Sequence, residues 1–235
     1  MSSEVFEDRI LNDLLPEFCN HPARCYDIAG FKSNFREVEG IDAQNFLKGL
    51  DAGLVELVGR LYRAPQSRAG EQFFWEHEKN LKPRPITLWI EPIITIATLY
   101  RLHSELGWPK ELLGTQSVDH AFDATAFVDS DTTNEYIACE VKKTIKERNS
   151  LIRIMRKFAA LPPSDTVSDQ EKNAYRKIKG LRARRAPLFW AVGPGGNSIA
   201  FKLAYSGDGL ITFDETSIRD LRYPALPIAQ PRNSN

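Results

Sequence analysis

The stretch from Asp119 to Thr144, DHAFDATAFVDSDTTNEYIACEVKKT, decides the fold. It divides into two runs rich in apolar and β-branched residues, roughly Ala121 to Asp129 and Glu135 to Lys143. Between them lies the polar cluster Ser130-Asp131-Thr132-Thr133-Asn134. Ser, Asp, Thr and Asn side chains bond nearby backbone groups, so such a cluster predicts a turn and the whole stretch a β-hairpin. Side chains alternate between the faces of a strand. Ile137, Cys139 and Val141 therefore share an apolar face, and Ala138, Glu140 and Lys142 share the other. On the first strand Phe122, Ala124, Ala126 and Val128 take one face, and Asp123, Thr125 and Phe127 the other. A turn centred near Asp131 and Thr132 brings Asp123 opposite Glu140 or its neighbour, where Cβ atoms are about 5 Å apart.

Two carboxylates at that distance repel unless something positive lies between them. A divalent metal with oxygen ligands meets the need, since Mg²⁺ is commonly held by one or two carboxylates, water and substrate phosphates. Lys142, on the same face as Glu140, can then orient a water nucleophile or steady charge developing on a phosphate. The chemistry this implies is metal-assisted hydrolysis of a phosphodiester. A surface hairpin with an exposed Glu–Lys pair, worth little energetically, is the plain alternative. The small and apolar neighbours Ala138, Cys139 and Val141 speak against it.

Asp123, sixteen intervening residues and then Glu140-Val141-Lys142 on a hairpin resemble the PD-(D/E)XK nuclease superfamily. The resemblance covers roughly Thr87 to Gly193, with Phe122 rather than Pro before the Asp. It implies a restriction-endonuclease-like fold, a central mixed sheet flanked by helices. It also implies Asp123 and Glu140 as metal ligands, Lys142 as a catalytic residue, Mg²⁺ as cofactor with Mn²⁺ as a substitute, and DNA rather than RNA as substrate. Asp119 has the parity of Asp123 and is a second candidate ligand. In the resembled superfamily the helix before the hairpin often carries a Glu that reaches the metal. That position maps to Glu91, with Glu76 and Glu78 as weaker alternatives. An acid near a helix N-terminus is also stabilised by the macrodipole alone.

The 235 residues are 42% hydrophobic and 26% charged, the profile of one large globular domain or of a core with an appended subdomain. No apolar run reaches the length of a membrane span, so no membrane partner is expected. The opening MSSEVFEDRI is acidic and amphipathic, unlike a secretory signal peptide. Three cysteines cannot make a disulfide framework, which points to a reducing cytoplasm. Cys19, His21 and Cys25 have metal-ligand chemistry but lack a nearby fourth ligand, so they read as a loop with one or two buried thiols. Net charge is zero, yet Lys142 to Arg185 holds fourteen Lys and Arg against four Asp and Glu, a local net of +10. Such a block is an electrostatic footprint for a polyanion.

Along the chain, Ser2 to Leu15 predicts a helix stopped by Pro16. Asp42 to Arg63 predicts a second, with Asp42 as N-cap and a stripe from Phe46 to Leu61. Ala69 to Asn80 predicts a third. Thr87 to Leu106 predicts a buried helix with Pro92 in its first turn. After the hairpin come an amphipathic helix, Ile145 to Leu161, whose Lys146, Arg153, Arg156 and Lys157 can meet phosphates, and a basic helix, Asp169 to Arg184. Pro187 to Val192 reads as a strand buried on both faces. Gly193 to Asn197 reads as a turn, and Ser198 to Tyr205 and Leu210 to Asp214 as strands. Expected organisation is a helical region over 1–85 (recognition, dimerisation or cover), a nuclease-like α/β (α+β) core over 86–223 and an extended or disordered tail over 224–235. A homodimer would suit cutting both strands of a duplex. The expected function is a metal-dependent nuclease for restriction, defence or repair. A non-catalytic nucleic-acid-binding module that keeps the fold is the alternative.

Overall fold

A computed structural model describes residues 3–117, 121–130, 134–163 and 167–224. The hairpin lies at its centre. β6 (Ala124–Phe127) and β7 (Glu135–Val141) pair antiparallel, with Ala124 opposite Cys139 and Ala126 opposite Ile137. Of the turn between them, 131–133 lie outside the described residues, as do Asp119 and the tail from 225 onward. β5 (Leu113–Thr115) extends the sheet beyond β6. On the other side β8 (Leu188–Val192) runs parallel to β7, and β9 (Ser198–Tyr205) and β10 (Ile211–Thr216) follow antiparallel. The result is a mixed six-stranded sheet in the order β10-β9-β8-β7-β6-β5.

A parallel pair needs a long crossover. Here α5 (Ile145–Ala159) and α6 (Lys172–Arg184) supply it between β7 and β8. Thr144 starts α5 by accepting the Glu147 N–H at 3.1 Å. Every residue of β8 is buried, as its unbroken apolar run predicts. Ile137, Cys139, Val141, Leu188, Trp190 and Val192 face α4 (Ile90–Ser104), a helix apolar on most sides. Ala138, Phe189, Ala191 and Phe201 face Leu151, Met155, Ile178 and Leu181 of α5 and α6. The sheet is thus covered on both sides, and strand alternation sorts its side chains between two cores.

Up to residue 90 the chain departs from the sequence expectations in five places. Pro16 does not stop the first helix. α1 (Ser3–Arg9) passes into a π-turn, Ile10–Leu14, and on into α2 (Leu15–Asn20). Leu15 N–H bonds to Ile10 O, one residue wider than an α-turn, and Pro16 then falls in a first turn, where its missing N–H matters little. The second helix, α3 (Gly40–Asp51), ends well short of Arg63, where its apolar stripe would carry it. Gly53 adopts φ +63 just past its end, and the hairpin β1 (Glu56–Val58) and β2 (Leu61–Arg63) follows. Asp42 lies inside α3 rather than capping it; Glu39 is the cap residue. Ala69 to Asn80 is not helical: β3 (Phe74–Glu76) pairs there with β4 (Ile86–Leu88). Since Thr87 and Leu88 belong to β4, the following helix begins at Ile90 rather than Thr87.

Phe6, Ile10 and Phe46 belong to the same buried cluster as Trp190 and Val192, so the N-terminal region and the sheet share one core. No helix among the described residues is long and apolar enough to cross a membrane.

Candidate functional site

The pairing of β6 with β7 sets the site. Asp123 lies just before β6, where its N–H bonds to Cys139 O at 3.0 Å. Its Oδ2 accepts the Val141 N–H at 2.8 Å. These bonds hold the carboxylate beside the end of β7, next to Glu140 and Lys142. Lys142 Nζ stands 2.9 Å from Glu140 Oε1 and 3.3 Å from Glu91 Oε1, and donates to Val141 O at 2.7 Å. Glu91 comes from the first turn of α4, whose N-terminus points it at the hairpin. Asp123, Glu140, Lys142 and Glu91 are therefore brought together. Glu76 is not among them: its carboxylate holds Arg24, Arg84 and the Tyr26 hydroxyl. Glu78 is exposed and Asp119 lies outside the described residues.

Two further groups at the site escaped the sequence reading. Lys177 of α6 is 3% exposed, and its Nζ lies 2.5 Å from Glu140 Oε2. It also donates to Ala121 O and stands over the Phe122 ring. Its signal was present: Ala174, Lys177, Ile178 and Leu181 follow helical spacing, which puts a charge on an apolar stripe. Glu71, 5% exposed, accepts Gln116 Nε2 at 2.6 Å. Gln116 has φ +53, and its backbone N–H bonds to Asp123 O at 3.1 Å, so one strained residue ties Glu71 to the strand of Asp123. Glu71 carried no such signal, because the segment around it reads as helix.

The electrostatics record crowded anions. Burial pushes the Glu140 carboxyl up to about 7, and Asp123 adds to the push while Lys177 and Lys142 oppose it. Burial likewise raises Glu91, with Lys142 pulling it back and Asp123 pushing it further. Glu71 is pushed up to about 7 by burial, against the Gln116 bond and with help from Asp123 and Glu91. Burial pulls Lys142 down, but Glu140, Asp123 and Glu91 outweigh it and hold the ammonium well above its usual range. Four acids thus face two ammonium groups.

That donor set, carboxylate oxygens only, fits a hard divalent cation. Among the described residues no three His, Cys, Asp or Glu side chains converge closely enough, as placed, to hold an ion. The gap between Glu140 and Glu91 is spanned instead by the Lys142 ammonium, itself a cation held by oxygens. Cys19, His21 and Cys25 form no such group either. Cys19 is buried, with its thiol pushed up by burial, and Cys25 is exposed.

Beside the site, a groove next to Ala121 is lined by Lys172, Tyr175, Arg176 and Lys179 of α6. Of the α5 cations, Arg156 covers the Phe201 ring and Lys157 pairs with Glu171 at 2.7 Å, while Lys146 and Arg153 are exposed. Comparison with family models, curated proteins and solved structures finds no match to this chain.

Proposed function

We propose that this protein is a metal-dependent nuclease of the PD-(D/E)XK type, with a restriction-endonuclease-like fold, that hydrolyses phosphodiester bonds of DNA. The observation that carries the reading is the constellation at the end of the hairpin: Asp123 beside the buried Glu140, with one Lys142 ammonium bridging Glu140 and Glu91 of α4. Asp123, Glu140 and Glu91 would hold Mg²⁺, or Mn²⁺ in its place. Such an ion, when bound, lowers the pKa of water and offsets charge on the phosphate. Lys142 stays protonated beside the carboxylates, placed to orient the attacking water or to steady charge on the phosphate. The α6 groove offers cations to the flanking backbone, a sequence-independent and salt-sensitive contact. The preference for DNA over RNA, and a restriction, defence or repair role, rest on the resemblance. A homodimer would serve cleavage of both strands, and three free thiols suit a reducing cytoplasm.

A second reading, a nucleic-acid-binding module without catalysis, is favoured by one observation. Both oxygens of Glu140 already have an ammonium partner. A single assay separates the two. Purified protein is incubated with supercoiled, linear and single-stranded DNA, large phage genomes included, in Mg²⁺, Mn²⁺ or EDTA, with Glu140→Ala in parallel. Metal-dependent cutting lost in Glu140→Ala supports the nuclease. DNA binding in EDTA without cutting in any metal supports the module. Cutting that persists in Glu140→Ala places the active site elsewhere.

A further inference from the structure

We propose, on the basis of the nuclease reading, that Lys177 restricts the site to one divalent ion by keeping Glu140 Oε2 permanently engaged. A two-metal site places its ions about 4 Å apart and needs carboxylate oxygens shared between them. Glu140 is the most deeply buried acid of the site, and its two oxygens have unequal partners. Oε1 faces Lys142, whose side chain is 16% exposed and has Glu91 and the Val141 carbonyl as other acceptors. That ammonium can release Oε1 to an incoming ion without losing all of its bonds. Oε2 faces Lys177, which has no comparable freedom. Its side chain is 3% exposed, anchored by the Ala121 carbonyl and the Phe122 ring, and rooted between Ala174, Ile178 and Leu181 on the buried face of α6.

Moving Lys177 aside would leave an ammonium buried without its counter-charge, among the costliest states in a protein interior. A second divalent ion beside it would also meet a like charge at close range in a poorly screened site. Lys177 thus supplies a fixed positive charge at Oε2, the oxygen of Glu140 that a second ion would have to share. Oε1 of Glu140 is then the one oxygen that would join Asp123 and Glu91 in holding a single ion. In these terms Lys177 is a positioning residue: it acts through Glu140.

The test is Mn²⁺ binding to the full chain without DNA, followed by calorimetry and by electron paramagnetic resonance of bound Mn²⁺. The wild type is expected to bind one Mn²⁺ per chain. Lys177→Met, and Lys177→Gln, which keeps an N–H donor but not the charge, are expected to bind a second Mn²⁺. Two ions in the wild type would overturn the proposal while leaving the nuclease reading intact. So would either variant, folded by circular dichroism, binding only one ion. No Mn²⁺ bound by the wild type would overturn both. Two ions in the wild type overturn the proposal even where neither variant folds.

Discussion

At the scale of the residue, the site is a small set of acids held against their own repulsion, and two substitutions separate function from stability. Lys142→Met removes the ammonium that bridges Glu140 and Glu91. Lys177 remains on Glu140, so the fold should survive with a loss of about 2 kcal/mol, the scale of a hydrogen bond to a charged group. Cleavage should fall by at least ~100-fold, as when a charge-stabilising donor is removed. Thermal unfolding and a cleavage time course read the two effects, and equal activity in the variant would remove Lys142 from the chemistry. Glu71 carries a pH prediction. Its carboxyl titrates at about 7 in the folded chain, against an ordinary value of 4.5. The folded state therefore holds the proton more tightly, so the stability it lends is complete below about 4.5 and fades as pH rises through 7. The loss is at most about 3 kcal/mol at ~1.4 kcal/mol per pH unit. Glu71→Gln stays neutral and keeps an acceptor for Gln116, so its urea midpoint should change less between pH 5 and pH 8 than that of the wild type. Identical pH profiles would show that Glu71 ionises as freely in the folded chain as in the unfolded one.

Among elements, α6 has two faces with different work. Its inner face puts Lys177 on Glu140; its outer face presents Lys172, Arg176 and Lys179 to the groove beside Ala121. All three are exposed, so replacing them together with Ala should alter stability by no more than about 0.5 kcal/mol each. If these cations meet phosphates, DNA affinity should drop for every sequence tested. The slope of log K against log salt should become shallower, by about 0.9 for each phosphate that is no longer neutralised. Fluorescence anisotropy at several salt concentrations measures both, and an unchanged slope would move the interface off α6. This helix was legible because thirteen residues give its period time to show. So was the sheet centre, where alternation put Ile137, Cys139 and Val141 on one side and Ala138 and Glu140 on the other. The strands β1 to β4 were not, for a physical reason. Each has three residues, too few for a period of two to be told from helical spacing, and in β1 Leu57 and Val58 continue the stripe of α3 although both are exposed. Gly53 and Gly59, with φ +63 and +65, were the breaks in that stripe.

For the molecule as a whole, the question is whether the N-terminal region is an attachment or part of the folding unit. The expected border fell near residue 85; packing does not follow it. Phe6, Ile10, Phe46, Trp108 and Trp190 lie in one continuous cluster. Asp42 reaches from α3 to accept the Gly195 N–H at 2.6 Å, in the turn before β9, although burial raises its carboxyl. Trp108 donates to Leu221 O at 2.7 Å, tying the end of the sheet region to the same core. Contacts of this kind span the sequence, which is why the central mixed sheet could be read from it and the packing of the N-terminal region onto that sheet could not. They lead to a cooperative transition: nothing buried separates the two parts, so neither can unfold without exposing the core of the other. In urea, far-ultraviolet circular dichroism of the whole chain should change at the same midpoint as tryptophan fluorescence from Trp75→Phe/Trp89→Phe, where Trp108 and Trp190 report on the sheet side. Asp42→Ala leaves the Gly195 N–H without its acceptor and should lower both midpoints together, by about 2 kcal/mol of stability. Asp42→Asn, which keeps an acceptor, should lower them less. Two separate transitions, or an Asp42→Ala effect confined to one probe, would mean that the helical region folds on its own and rests on the sheet as a cover.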